Sequence, residues 1–334
     1  MYTEETKQRV RKDLVAQFQT TEVITAMPTP MTHSGAVDYD AVELLTRHLQ
    51  KNAVDGILIG GSTGEEPTLK PKEKWAVFER VKKTLRRRDG TRNVKLIAGT
   101  GCSSTWETIA ETKHAIRAGA DVALVIVPPQ VKPNDDGQRF HFGAVAKAAP
   151  NLPIIIYNIP SRTGVNMKPE IVAELAQRHP NIIGIKQSYG DLEQVAQLKR
   201  LCPKDFLIYS GDDDLTLEML RKGAHGVISV ASNIDNASIK RMVVAEKAGK
   251  PQEADQINRI LTPLYKACFV TTNPIPVKHL LTERVAPWMT STLRPPLVPM
   301  NLADHQKMHA LYIQYRSNMM NPEILQRLKD LQAE

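Results

Sequence analysis

Short, wholly apolar runs recur along the chain, and each is followed by a segment whose apolar residues fall at helical spacing. The first run, Glu22-Val-Ile-Thr-Ala-Met27, is closed by Pro28 and Pro30, and Asp38 then caps a helix on which Val42, Leu45 and Leu49 share a face. Gly56-Ile-Leu-Ile59 leads through Gly60-Gly-Ser-Thr-Gly-Glu65 to a helix marked by Trp75, Phe78, Val81 and Leu85. Val94-Lys-Leu-Ile-Ala98 leads through Gly99-Thr-Gly101 into a helix from about Thr105, and Val122-Ala-Leu-Val-Ile-Val127 is cut off by Pro128-Pro129. Ile154-Ile-Ile-Tyr157 runs into Asn158-Ile-Pro-Ser-Arg-Thr-Gly164, and Asn181-Ile-Ile-Gly-Ile-Lys-Gln-Ser188 turns polar at its lysine. Phe206-Leu-Ile-Tyr209 ends in Ser210-Gly-Asp-Asp-Asp214, and Gly226-Val-Ile-Ser-Val230 precedes a further helical segment.

Runs that are apolar throughout, rather than alternating, predict strands of a parallel sheet buried on both faces. Eight such strand–helix units are the number that closes an α/β (β/α)8 TIM barrel of about 250 residues. The rival is an open doubly wound sheet, which would carry a Gly-rich fingerprint between its first strand and helix. That junction is Pro28-Thr-Pro-Met-Thr-His-Ser-Gly35, with no GxGxxG, so the barrel is the better reading.

Outside the alternation lie two helical regions. Val10, Leu14, Val15 and Phe18 line one face of a short N-terminal helix that should dock on something. After about residue 250, Ala254, Ile257, Leu261 and Leu264 mark one helix, and Leu311, Tyr315, Ile324 and Leu328 mark others, joined by the extended Arg294-Pro-Pro-Leu-Val-Pro299. The expected division is an N-terminal extension over 1–20, the barrel over 21–250 and a C-terminal helical appendage over 251–334.

Composition narrows the class. Of the 334 residues, 42% are hydrophobic and only 5% aromatic, so aliphatic side chains must fill the core. The net charge of +8 is spread along the chain, and its densest run, Lys82 to Arg88, closes a helix where cations suit the dipole. With no interleaved aromatics and no nucleic-acid motif, a solvated helix end or attraction of anionic substrates explains the charge better than nucleic acid does. No apolar run approaches the ~20 residues that span a bilayer. The N-terminus, Met1-Tyr-Thr-Glu-Glu5, lacks the features of a signal peptide, and Cys102, Cys202 and Cys268 form no metal-ligand spacing. A cytoplasmic protein with no metal is the expectation.

Barrel enzymes keep their chemistry at the C-terminal ends of the strands. Those ends hold Ser62 and Thr63, Gly99 and Gly101, Gln130, Tyr157, Arg162, Lys186, Gly211 to Asp214, and Ile228. A lysine at the end of a buried strand is costly to keep charged, which favours the neutral amine needed to attack a ketone. Alone, it reads rather as a side chain snorkelling into water where its strand stops. The loop Gly61-Ser-Thr-Gly-Glu65 is either a tight turn or a cradle for a carboxylate. Tyr157 packs, or relays protons; Arg162 is a surface cation, or forks onto a substrate carboxylate.

Gly61-Ser-Thr-Gly-Glu65, Tyr157-Asn-Ile-Pro-Ser-Arg-Thr-Gly164, Gly184-Ile-Lys186, Ser210-Gly-Asp-Asp213 and Asn273-Pro-Ile-Pro-Val-Lys278 together resemble the dihydrodipicolinate synthase/N-acetylneuraminate lyase family, pyruvate-dependent class I aldolases on a TIM barrel. The resemblance runs from about Val23 to Pro299. It implies a Schiff base between Lys186 and pyruvate and no other cofactor. It implies that Ser62 and Thr63 hold the pyruvate carboxylate, and that Tyr157 relays protons with Thr63. Gly211 and the Ile228 carbonyl are implied at the substrate. Arg162 favours the synthase branch, whose second substrate is the carboxylated aldehyde aspartate semialdehyde, in the diaminopimelate and lysine pathway. A homo-oligomer, dimer or tetramer, is implied as well.

Two positions depart from the family pattern. Ser62 stands where threonine is usual, and Gln130 stands where a tyrosine completes the relay across a subunit interface. An amide cannot shuttle protons as a phenol does. The alternatives are therefore an aldolase or dehydratase for another 2-oxo acid, or a pyruvate-binding paralogue with weak synthase activity. The resemblance also implies an inhibitor site for lysine near the loop after Glu65, where Lys72 and Lys74 should repel a cationic ligand.

Overall fold

The computed structural model describes residues 3–87 and 90–333. The apolar runs form β1 (Val23–Ala26), β2 (Gly56–Ile59), β3 (Lys95–Gly99), β4 (Val122–Ile126), β5 (Ile154–Asn158), β6 (Ile182–Gln187), β7 (Leu207–Ser210) and β8 (Gly226–Ser229). They close into a barrel in chain order, β1 to β8. Helix α1 (Glu4–Ala16) precedes it. Between and after the strands come α2 (Tyr39–Lys51), α3 (Pro71–Leu85), α4 (Thr105–Ala118), α5 (Asp135–Ala148), the single turn α6 (Pro160–Thr163), α7 (Pro169–Arg178), α8 (Leu192–Leu201), α9 (Thr216–Arg221) and α10 (Ser232–Lys247). The C-terminal helices are α11 (Pro251–Cys268), α12 (Ile275–Arg284), α13 (Leu302–Met320) and α14 (Pro322–Ala333). The α/β barrel with helical additions at both ends is the architecture that the hydrophobic pattern predicts.

Every strand residue except Lys95 and Ile126 is buried, which is why these runs carry no polar alternation. Gly184 in β6 is required by close packing, because a Cβ there would overlap the Leu207 carbonyl of β7. No described helix is long and apolar enough to cross a membrane.

The described chain falls into two compact units. One comprises the residues up to Glu22 with Lys95–Ile228. Within it α1 docks as its apolar face predicts, burying Val15, while Phe18, just past its end, is buried too. The docking also relies on Arg11, which periodicity would leave in solvent. Its Nε donates to Asp205 Oδ1 at 2.6 Å and its Nη1 to the Ile182 carbonyl at 2.9 Å. A guanidinium so placed cements α1 to the start of β6.

The other unit comprises Val23–Val94 and the residues from Ser229 on. Asp38 caps α2 by accepting from the Ala41 N–H at 2.9 Å, the bond its side chain predicts. Ala254, Ile257, Leu261 and Leu264 are the buried face of α11. Tyr315 of α13 donates to Asp235 Oδ2 at 2.6 Å, at the point where α10 departs from helical geometry. Lys82 and Lys83 occupy the last turn of α3 as the dipole favours. Arg88 of the same basic run lies outside the described residues, as does the side chain of Leu328.

Candidate active site

In the first unit, Lys186 and Tyr157 are register partners on the parallel strands β5 and β6. Both are buried, and the lysine Nζ stands 4.3 Å from the centroid of the tyrosine ring. A cation over a π face at this distance is an attractive contact that fixes where the amine points. The strand continues one residue past the lysine, to Gln187.

Gly211 follows β7 and donates its N–H to the Gln187 carbonyl at 2.8 Å. Beside it, the buried Ser188 hydroxyl has no hydrogen-bond partner among the described residues. The next residue, Asp212, is a carboxyl that stands at the expected strand end but had no role assigned to it from the sequence. Burial pushes it up to about 6 against the opposing pull of the Lys186 charge, so it takes up a proton as the pH falls toward 6. Its signal was the Ser-Gly-Asp turn closing an apolar strand, where a carboxylate has little solvent to hold its charge. Ile228 is fully buried in β8.

Arg162 lies on α6 with its side chain exposed. The loop that carries it is held by buried amides. Asn158 Nδ2 donates to Gln187 Oε1 at 3.0 Å and to Asn166 Oδ1 at 2.8 Å, and Asn158 Oδ1 accepts from the Met167 N–H at 3.0 Å. Gln194 extends the network to the Met167 carbonyl at 3.0 Å. Gly164 closes α6 with φ +72, and the Lys132 stem packs over it, bringing a second cation to this loop. Gln130 is exposed in the turn after β4, in left-handed backbone at φ +68.

In the second unit, Ser62 and Thr63 form a single 3-10 turn directly after β2. The Thr63 hydroxyl is buried and accepts from Asn273 Nδ2 at 3.0 Å. Glu65, in left-handed backbone at φ +55, ends the turn and points inward. Its Oε1 accepts from Lys278 Nζ at 2.7 Å with both side chains fully buried, and its Oε2 accepts from the Arg294 N–H at 2.9 Å. Burial pushes the Lys278 ammonium down, and Glu65 opposes that shift. Arg294 reaches on to the Thr68 carbonyl at 2.9 Å and forks onto Glu73 at 2.8 and 2.6 Å. That fork holds the Glu73 carboxyl down at about 2.

The Ser62–Thr68 segment is thus held by three residues from the C-terminal region, Asn273, Lys278 and Arg294. Asn273 and Lys278 stood in a motif that the sequence singled out, but neither had an assigned task. Lys74 corrects another expectation. Rather than standing free to repel a cation, it is buried, 3.5 Å from Glu66 Oε1, with its Nζ over the Trp75 ring.

Comparison with known proteins identifies the family. A cyanobacterial 4-hydroxy-tetrahydrodipicolinate synthase from Cyanothece sp. is 44% identical over 289 residues, covering 86% of this chain and 96% of that protein. Among solved structures, the synthase of Cyanidioschyzon merolae with lysine bound superposes with a TM-score of 0.85 at 40% identity, over 89% of this chain and 99% of the other. The 4-hydroxy-tetrahydrodipicolinate synthase of Methylacidiphilum fumariolicum SolV gives a TM-score of 0.85 at 36% identity, covering 93% and 99%. The sequence model of the dihydrodipicolinate synthetase family matches residues 19–314, which take in all eight strands and the C-terminal helices as far as α13, and the chain belongs to that family.

Proposed function

We propose that this enzyme is a lyase that condenses pyruvate with aspartate semialdehyde, as the 4-hydroxy-tetrahydrodipicolinate synthases do. The observation that carries the reading is Lys186, a buried amine held over the Tyr157 ring by the barrel's own register. The neutral amine attacks the pyruvate ketone carbon to give a carbinolamine, and loss of water leaves the imine. The imine draws electrons from the methyl group, which gives up a proton to become an enamine. That carbon then forms the new bond to the aldehyde, whose oxygen takes up a proton, and attack of the semialdehyde's own amine on the imine carbon closes the ring and expels the Lys186 amine. Tyr157 is proposed to move the protons, and Ser62 and Thr63 to bind the pyruvate carboxylate. Gly211 leaves room beside the imine, and the Ile228 carbonyl faces the keto acid. Arg162 is assigned the aldehyde's carboxylate, and no dissociable cofactor is needed.

The subunit arrangement belongs to the same reading. Helices α4 and α5 pack through Thr105 and His141, yet they leave Trp106 82% and Phe140 71% exposed. Aromatic surface of that extent is expected to be covered by a second copy of the chain.

Borohydride trapping tests the proposal. Pyruvate with borohydride should add one reduced adduct on Lys186, seen by intact mass and peptide mapping, and Lys186→Ala should abolish it. A condensation assay with aspartate semialdehyde should then yield the cyclic product. No adduct, or an adduct that survives Lys186→Ala, overturns the reading.

A further inference from the structure

Away from the barrel strands, α12 and α13 bring four side chains together that the condensation does not use. His279 and Glu283 lie four residues apart on α12, and His305 and His309 lie four apart on α13. On a helix that spacing puts both members of a pair on one face. Their ligand atoms all lie within 4.8 Å of one another. His279 Nε2 is 2.8 Å from Glu283 Oε1 and 2.8 Å from His305 Nε2. His305 Nε2 is 3.5 Å from Glu283 Oε1, and His309 Nε2 is 2.8 Å from Glu283 Oε2.

A network built only for protons would align each N–H with an acceptor. Here His309 Nε2 is buried beside the carboxylate with no hydrogen-bond partner among the described residues. All three imidazoles turn the same nitrogen inward. Two of the three, His279 and His305, approach closely at a distance where one must donate to the other.

We propose that His279, Glu283, His305 and His309 form a binding site for a divalent transition metal ion, zinc in the first instance, that clamps α12 to α13. Three imidazole nitrogens and one carboxylate oxygen are a donor set suited to tetrahedral zinc. Ligand bonds of about 2.0–2.1 Å place tetrahedral ligands about 3.3 Å apart, so the pairs now at 2.8 Å must open by about half an ångström and the wider separations, up to 4.8 Å, must close by up to about 1.5 Å, within the reach of side-chain torsions. The protein fills all four positions, which makes this a closed structural site rather than a catalytic one.

One contact must change on binding. Arg284 Nη2 lies 2.9 Å from His309 Nδ1, so in the metal-free protein it donates there and the imidazole proton sits on Nε2. With the metal on Nε2 the proton moves to Nδ1, and Arg284 must let go. The half-exposed guanidinium has room to do so, and it already rests over Tyr312 at 5.4 Å. Nothing along the chain announces this site, because its two pairs are separated in sequence and contain no cysteine.

Tagless full-length protein, stripped with chelator, is titrated with Zn2+ by calorimetry and with Co2+ by visible absorption. The expected result is one ion per chain, a zinc Kd below about 1 µM and intense tetrahedral cobalt bands. His279→Gln and His305→Gln should each weaken binding at least ~10-fold, and the double variant should abolish it. Metal-free circular dichroism of the variants should match the wild type, which separates lost ligation from misfolding. Arg284→Gln supplies an acceptor for Nδ1–H and should tighten binding. Binding only at millimolar zinc, affinity unchanged in the double variant, or thiolate charge-transfer bands from a cysteine site would overturn the proposal. Unchanged or weaker binding in Arg284→Gln would overturn His309 as a ligand.

Discussion

Gly211 leaves Lys186 the room it occupies: a Cβ built on Gly211 would stand 2.8 Å from Lys186 Cε and would overlap Ser188 Oγ. Both neighbours are ends of side chains that can swing away, so Gly211→Ala should cost little stability, about 1 kcal/mol. The amine, however, is displaced from its place over Tyr157. Misplacement on the ångström scale costs ~10²-fold in rate, and pyruvate trapping should slow by about that factor. A variant with wild-type trapping kinetics would show that Lys186 reacts from another position.

Tyr157→Phe separates the ring from its hydroxyl. The aromatic face that holds the lysine Nζ at 4.3 Å survives, so borohydride trapping with pyruvate should persist. Losing a positioned proton relay costs ~10²–10⁴-fold, and steady-state condensation should fall by that amount at nearly constant pyruvate KM. Equal losses in trapping and turnover would point to a packing role instead.

At Gln130 the backbone already bears the left-handed conformation, φ +68, with a side chain that has a Cβ. Replacing Gln130 by tyrosine adds only the ring, and the side chain is exposed, so a stability change under about 1 kcal/mol is expected in thermal melts. If the phenol reaches the relay it should raise kcat by more than ~10-fold. An unchanged rate would place the relay entirely in other groups.

His141 should make the fold acid-sensitive. It is buried against Thr105, whose Oγ1 is 3.0 Å from its Nδ1, and burial lowers its imidazole to about 4. A depressed imidazole leaves stability complete above the unfolded value of 6.5 and removes it as pH falls toward 4. The contribution at stake is about 3 kcal/mol. Urea midpoints between pH 7 and 4.5 should fall less steeply in His141→Gln, and an identical slope would exclude this residue as the cause.

Where the sequence was legible, the physics was local. Strands buried on both faces read as unbroken apolar runs, and Lys186 was visible because a charge interrupts one. Asp38 announced its helix because a cap acts within three residues. Arg11, Lys278 and Arg294 were opaque for the opposite reason. Each is held by a partner distant along the chain: Asp205 lies 194 residues from Arg11, Glu65 lies 213 from Lys278, and Glu73 lies 221 from Arg294. Periodicity assigns a cation to solvent unless its anion is in view. The His279 and His309 cluster was hidden likewise, since half of it sits on each of two helices.

Lys278→Met should be severe, because it strands the Glu65 carboxylate among fully buried atoms. Removing one partner of such a pair costs about 3–5 kcal/mol, whereas removing both together costs far less. Chemical denaturation of Lys278→Met and of the double variant Glu65→Gln with Lys278→Met should show the second recovering more than half of the loss. Strictly additive losses would mean that the pair is not coupled.

That coupling also constrains how the chain can change over time. Glu65 and Glu73 are encoded in the first third of the sequence and Lys278 and Arg294 in the last, yet each acid is held by a base from the other end. Single replacements at positions 65 and 278 pass through an intermediate bearing an unpaired buried charge, so drift there should proceed by paired exchange. A chimera that joins the front of one relative to the back of another inherits the penalty whenever the two parents solved this contact differently. The C-terminal helices are therefore not interchangeable trim. They descend with the loop they hold.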